Sequence, residues 1–361
     1  MPTSPADRTH DSGGTGEFEH IDRLVGPSAS DREVEAEARR LAASGREAPE
    51  VKFDGRKIEV CETEKTERDR RIIALAAGAA DDLMRGYSRE RVVDVPNENL
   101  FLVESSASDV GGFYDVRRRQ LMVVRKPGHD AELAADLFHE LVHAKSYNAL
   151  RTKDADGREV ENYRTGLQIV SREGRTHFRE LNEAVVQTMT LDFFDRVVDK
   201  SDLFRDELLM AGHRDVTPRQ REEGSYWTAQ QHFQALTRAI WERESERAAA
   251  GGEPIFGSEE EVKKIFIRAS VTGDLIEAAR LVEGVWGPGS FRRLGESLGD
   301  FCRENIYKNS DSGSTGLFDG LLERTKQPIR EIRRKCSSLI NDTDGSLAGS
   351  LFRRLKSRLR D

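Results

Sequence analysis

Residues 136–147 read DLFHELVHAKSY, and this stretch constrains the chain more than any other. His139 and His143 are four apart, so on a helix both imidazoles leave the same side, one turn above the other. Leu133, Leu137 and Leu141 recur at the same interval and give the segment a buried stripe, with Asp130 as the expected N-cap. Two imidazoles at that spacing suit one zinc ion, and Glu140 lies one step round the helix, able to reach a water on the metal without competing for it. The metal would polarise a carbonyl and acidify the water. The carboxylate would take the proton and pass it to a leaving amine. Set against this is the plainer reading of a helical interaction module in which two histidines share a face.

Two histidines do not complete a zinc site. Ser146 and Ala149 stand where the extended pattern HExxHxxGxxH has its Gly and third His. A later helical run, ELNEAVVQT, offers Glu183, and Glu180 three residues earlier shares its face. His177 and His213 are further candidates, with no motif around them.

HELVH followed by a helix bearing Asn182, Glu183 and Ala184 resembles the gluzincin branch of the zincin metallopeptidases, the thermolysin-like arrangement. The resemblance runs from His139 to Gln187. It implies a zincin-like core, in which a small mixed sheet packs on the active-site helices. It also implies one Zn²⁺ per chain, ligated by His139, His143 and Glu183, with Glu140 as general base. Gln187 departs from the pattern, because those enzymes have there an aspartate that orients a ligand histidine. Zincin folds also set a strand beside the motif helix, to which an extended substrate adds as a further strand. Gln120–Val124, QLMVV, is the expected edge strand, and the preceding GGFYD resembles a run in small bacterial zincins, including injected effectors. The oxyanion donor of such enzymes comes from beyond the third ligand. Tyr226 is the choice here, with His213 and His232 as alternatives.

The rest of the chain frames that core. Residues 1–50 read as a largely disordered N-terminal arm, polar to about residue 30 and then a short helix in SDREVEAEARRLAAS. KFDGRKIEVCET suggests a hairpin at Asp54 and Gly55, RDRRIIALAAGAADDLMRG a helix, NLFLVESS a strand, and GGFYDVRRRQLMVV two strands. From REGRTHF onward the pattern is helical, and after about residue 200 it is helical only. Ser258 with Glu261 and Asp274 with Glu277 carry capping-box spacing. The order of elements predicts an α+β protein, with a metallopeptidase core over 51–200, a helical subdomain over 201–308, and a loop with C-terminal helices over 309–361.

Composition narrows the partners. A net charge of −8 argues against nucleic acid, and the basic run LFRRLKSRLRD at the end reads as a solvated helix. No apolar run is long enough to span a membrane, and the mean hydropathy is −0.65. The beginning, MPTSPADRTHDSGGTG, lacks a basic stretch followed by an apolar one. A cytoplasmic location, or export by a route that reads no such signal, is therefore expected. Cys61, Cys302 and Cys336 form no CxxC pair and read as small core residues in a reducing compartment. The function expected is a zinc-dependent metallopeptidase acting on peptides or proteins. The alternatives are an effector- or toxin-type zinc protease that cuts one protein, and a zinc-binding regulatory protein without turnover.

Overall fold

A computed structural model of the chain describes residues 23–25, 51–53, 56–58, 60–87, 95–105, 111–116, 120–152, 160–210, 225–251 and 256–307. The chain divides into two compact units, Met1–Arg303 and Glu304–Asp361. The elements named below belong to the first. The helix expected at 30–44, the loop at 309–316, Cys336 and the basic C-terminal helix lie outside the described residues.

The protein is α+β. One sheet has four strands in the order β4 (Val60–Glu62), β5 (Leu100–Ser105), β7 (Gln120–Val124), β6 (Gly112–Asp115). β5 and β7 are parallel, and both outer strands are antiparallel to their neighbours. QLMVV is therefore an inner strand, buried at all five positions, and the edge belongs to β6, GFYD. This reverses the sequence expectation. A strand covered on both faces is mostly apolar, and QLMVV is apolar at every position but Gln120, whereas an edge tolerates glycine.

Strands β2 (Val51–Phe53) and β3 (Arg56–Ile58) pair antiparallel, as the expected hairpin requires, and the two residues expected at its turn lie outside the described residues. A second, five-stranded sheet runs β1 (Arg23–Val25), β8 (Asn148–Thr152), β9 (Val160–Thr165), β10 (Gln168–Val170), β11 (Thr176–His177). It overturns one expectation: Arg23–Val25, inside the arm read as disordered, pairs in parallel with Ala149–Arg151. The helical run expected after REGRTHF begins at Arg179, directly after β11.

Helix α1 (Glu67–Gly86) opens on a reciprocal cap: Thr66 Oγ1 accepts the Asp69 N–H and Asp69 Oδ2 accepts the Thr66 N–H. It buries Ile72, Ile73, Ala76, Ala80 and Met84, and packs on the motif helix α2 (Asp130–Lys145). Thirteen of the sixteen residues of α2 are buried, because β6, β7, α1 and the later helix α3 (Arg179–Phe193) all pack on it. Its N-cap is His129 rather than Asp130, and makes no side-chain cap bond. The orphan N–H of Ala131 is instead accepted by Glu207, at 3.1 and 3.2 Å, while Asp130 pairs with Arg68. At the other end Asn148 Nδ2 donates to the carbonyls of His143, Ala144 and Ser146. Lys145, almost wholly buried, pairs with Asp81 of α1 at 2.7 Å.

Helix α3 (Arg179–Phe193) starts from Phe178, which has φ 58°, a left-handed conformation unusual for a bulky residue. The structure holds it there: its N–H donates to the Gly295 carbonyl at 2.6 Å, and its ring packs against Gly295 and Phe291. Beyond it come α4 (Arg205–Met210), α5 (Ser225–Ala249), α6 (Glu259–Thr272), α7 (Ile276–Trp286), α8 (Ser290–Glu296) and α9 (Leu298–Cys302). Ser258 caps α6 by accepting the Glu261 N–H, half of the expected box, while the Glu261 carboxylate accepts the Gly257 N–H at 2.7 Å. Asp274 accepts from Ile276 N–H instead of closing a box with Glu277. Arg164 of β9 ties this helical part to the sheet, donating to the carbonyls of Ala269 and Gly273 at the end of α6 and lying over the Tyr147 ring. Cys302 is buried, but Cys61 is exposed, against the expectation of a core residue. No helix among the described residues is long and apolar enough to cross a membrane.

Candidate metal centre

The i,i+4 spacing on α2 sets His139 and His143 with Nε2 atoms 3.2 Å apart. Glu183, on the second turn of α3, brings Oε2 to 3.3 Å from His139 Nε2 and 3.4 Å from His143 Nε2. Packing between the helices fixes this meeting. Phe138, the residue before His139, stacks on Phe193 at the far end of α3, rings parallel within 3° and centroids 4.2 Å apart. Leu181, Ala184, Val185 and Met189 of α3 are buried as well.

Three donor atoms thus form a nearly equilateral triangle. Donors held roughly 2.0–2.1 Å from one zinc ion at tetrahedral angles stand about 3.3–3.4 Å apart. The triangle matches that edge, and its two imidazole nitrogens and one carboxylate oxygen are a donor set that zinc accepts. Among the described residues no other group of three His, Cys, Asp or Glu side chains stands close enough to share an ion.

The atoms behind the triangle differ for the two histidines. Thr190 Oγ1 donates its proton to the Val186 carbonyl at 2.9 Å and lies 3.4 Å from His139 Nδ1. Its lone pairs can therefore accept an Nδ1–H, the tautomer that frees Nε2 for a metal. Thr190, not Gln187, fills this place. It follows Glu183 by seven residues, two helical turns, and so shares its face. That spacing was the signal available in the sequence. His143 Nδ1 meets Asn182 Nδ2 at 3.4 Å, while Asn182 Oδ1 accepts the Leu167 N–H at 2.8 Å. An amide nitrogen suits an unprotonated Nδ1, so a metal on His143 Nε2 requires this contact to loosen.

Charge follows the same geometry. Burial pushes the Glu183 carboxyl up, but the charge and hydrogen bonding of His143 and His139 outweigh it, and the net shift is downward. Glu140 behaves oppositely. Burial, reinforced by Glu183 and Asp136 and opposed by His139, pushes its carboxyl up to about 8. Asp136, one turn earlier on the helix, is raised by burial to about 6. Both lie under the edge strand: a Cβ on Gly112 would be 2.6 Å from Glu140 Cγ, and one on Gly111 3.1 Å from Asp136 Oδ2.

None of the other sequence candidates whose side chains are described joins the triangle. Glu180 accepts the Gly299 N–H at 3.1 Å, across from α9. His177 lies in β11, opposite Ile169. His232 packs against Gly299, its pKa lowered by burial against the pull of Glu180. Tyr226 falls in the first turn of α5, with its side chain outside the described set, and His213 lies outside the described residues altogether.

No family model, no curated protein and no solved structure matches this chain.

Proposed function

We propose that this protein is a zinc-dependent metallopeptidase of the gluzincin kind. The observation that carries the reading is the triangle of His139 Nε2, His143 Nε2 and Glu183 Oε2, with sides of 3.2, 3.3 and 3.4 Å. Two further features support it. Glu140 lies against Gly112 of β6, and β6 pairs only with β7 among the described strands.

When bound, zinc supplies a Lewis acid that polarises a carbonyl and makes water easier to deprotonate. The chain's own residues do the rest. His139, His143 and Glu183 are the residues that would hold the ion. β6, which ends the order of described strands in its sheet, is the strand against which an extended peptide would align beside the motif helix. Glu140 takes the proton of the attacking water and gives it to the leaving amine. A pKa near neutral suits a group that must do both. The oxyanion donor is assigned to Tyr226 on its position after the third ligand.

The test is hydrolysis of unfolded casein by the zinc-loaded chain and by Glu140→Gln. The variant keeps the helix and all three ligands, so zinc content should stay unchanged while turnover falls by about 10²–10⁴-fold. Equal turnover in both proteins would remove Glu140 from the role. No turnover in either, with zinc bound, would favour a regulatory zinc protein.

A further inference from the structure

We infer that Gly112 is a positioning residue for Glu140, an inference that rests on reading Glu140 as the proton acceptor. Gly112 opens the edge strand and lies where that strand crosses the motif helix. A Cβ built on it would stand 2.6 Å from Glu140 Cγ, 2.9 Å from Oε1 and 3.1 Å from Cδ. Carbon atoms in contact prefer roughly 3.5–4.0 Å, so the glutamate and any side chain at 112 cannot both keep their places.

The backbone gives no other reason for glycine at 112. Its φ is not positive, unlike that of Gly166 or Gly273, and it sits in regular ladder opposite Val123. Glycine inside a strand loses packing and raises the entropy lost on folding, so an ordinary position would gain from a side chain. The missing side chain is explained by what it admits, the Glu140 carboxylate, pressed between the edge-strand backbone and the ligand helix. Gly111 repeats the relation with Asp136, where an added Cβ would be 3.1 Å from Oδ2. The glycine pair lets the edge close over two buried carboxylates in succession. It sets how near Glu140 lies to a peptide aligned on that edge, while touching none of the three ligands.

The test combines stability and turnover in the full-length chain. Gly112→Ala, Glu140→Ala and the double variant form a cycle, melted without metal. Gly112→Ala should lower the melting temperature when Glu140 is present, and leave it level or raise it when Glu140 is alanine, because the clashing atoms are gone and alanine stiffens the unfolded chain less favourably for unfolding. The same shift in both backgrounds would overturn the inference, since the cost would then belong to the strand itself. In the zinc-loaded protein, Gly112→Ala should keep one zinc per chain and its KM on casein while kcat falls on the order of 100-fold. Unchanged kcat would overturn it equally. If the parent chain cleaves nothing, the peptidase reading fails, and the melting cycle still decides whether Gly112 holds Glu140.

Discussion

The two helices that meet at the triad hold their ligands by different means. On α2 the helix itself sets the distance between His139 and His143, since residues four apart are neighbours whatever lies around them. On α3 the position of Glu183 relative to those histidines is set wholly by tertiary contacts. They are the left-handed start at Phe178 against Gly295, the buried stripe, and the Phe138–Phe193 stack. The difference teaches where a metal site is robust and where it is fragile. A pair of ligands on one helix survives local damage. A third ligand delivered by a neighbour depends on every contact that sets the register between the two helices.

Breaking the stack should expose that dependence most. Phe138→Ala deletes a ring that is almost fully buried, and large-to-small changes of this kind cost about 3–5 kcal/mol. Urea unfolding should show the loss, and zinc affinity should fall with it although all three ligands remain. Full zinc affinity in a destabilised variant would mean that Glu183 is placed by something other than the stack.

A smaller effect separates the atoms behind the histidines. Thr190→Val keeps the shape but removes the acceptor facing His139 Nδ1, and losses of this kind cost roughly 10–100-fold in metal affinity. Gln187→Ala should leave affinity unchanged. Competition titration with a chromophoric chelator measures both. The reverse ranking would restore Gln187 to the role that the resemblance to thermolysin-like enzymes suggested.

The smallest effect is a drift with pH in the metal-free protein. Asp136 and Glu140 are raised to about 6 and about 8, so each binds its proton more tightly in the folded chain. Their contribution is full below the ordinary carboxylate range and is lost as pH rises through 6 and then 8. Glu183, shifted downward, contributes above that range and loses its part only in acid. Melting temperature in chelator should therefore decline from about pH 4 to about pH 8 and level off above, and the decline should shrink in Glu140→Gln. A flat profile would mean that these carboxylates are better solvated than their burial implies.

How much of this was legible follows the same division. The motif helix, α1, the β6–β7 hairpin and the helices after residue 225 showed in hydrophobic period and caps, which are local signals. The sheet of β8–β11 did not show, because β8 and β9 carry Arg151 and Arg164 as buried residues and β10 and β11 are short. Those charges are satisfied by carbonyls far along the chain and by Glu161, so the apolar alternation of a strand is absent. The strand β1 is three residues long and gains meaning only from its partner β8. Which of β6 and β7 forms the edge is likewise a question of neighbours that no single strand can answer. At the site, the histidine spacing was readable as helical geometry and Glu183 through its motif. Thr190 could be found only as a residue sharing Glu183's face, and Gly112 not at all, since their roles come from what another element brings to them.

The most direct test of the central claim is zinc content after exhaustive dialysis, measured on the parent chain, Glu183→Ala and Glu180→Ala. Glu183 faces the two histidines, whereas Glu180 accepts the Gly299 N–H. The parent and Glu180→Ala should each retain one zinc per chain, and Glu183→Ala should lose it. A parent that holds no zinc, or a Glu180→Ala that loses it while Glu183→Ala keeps it, would contradict the account.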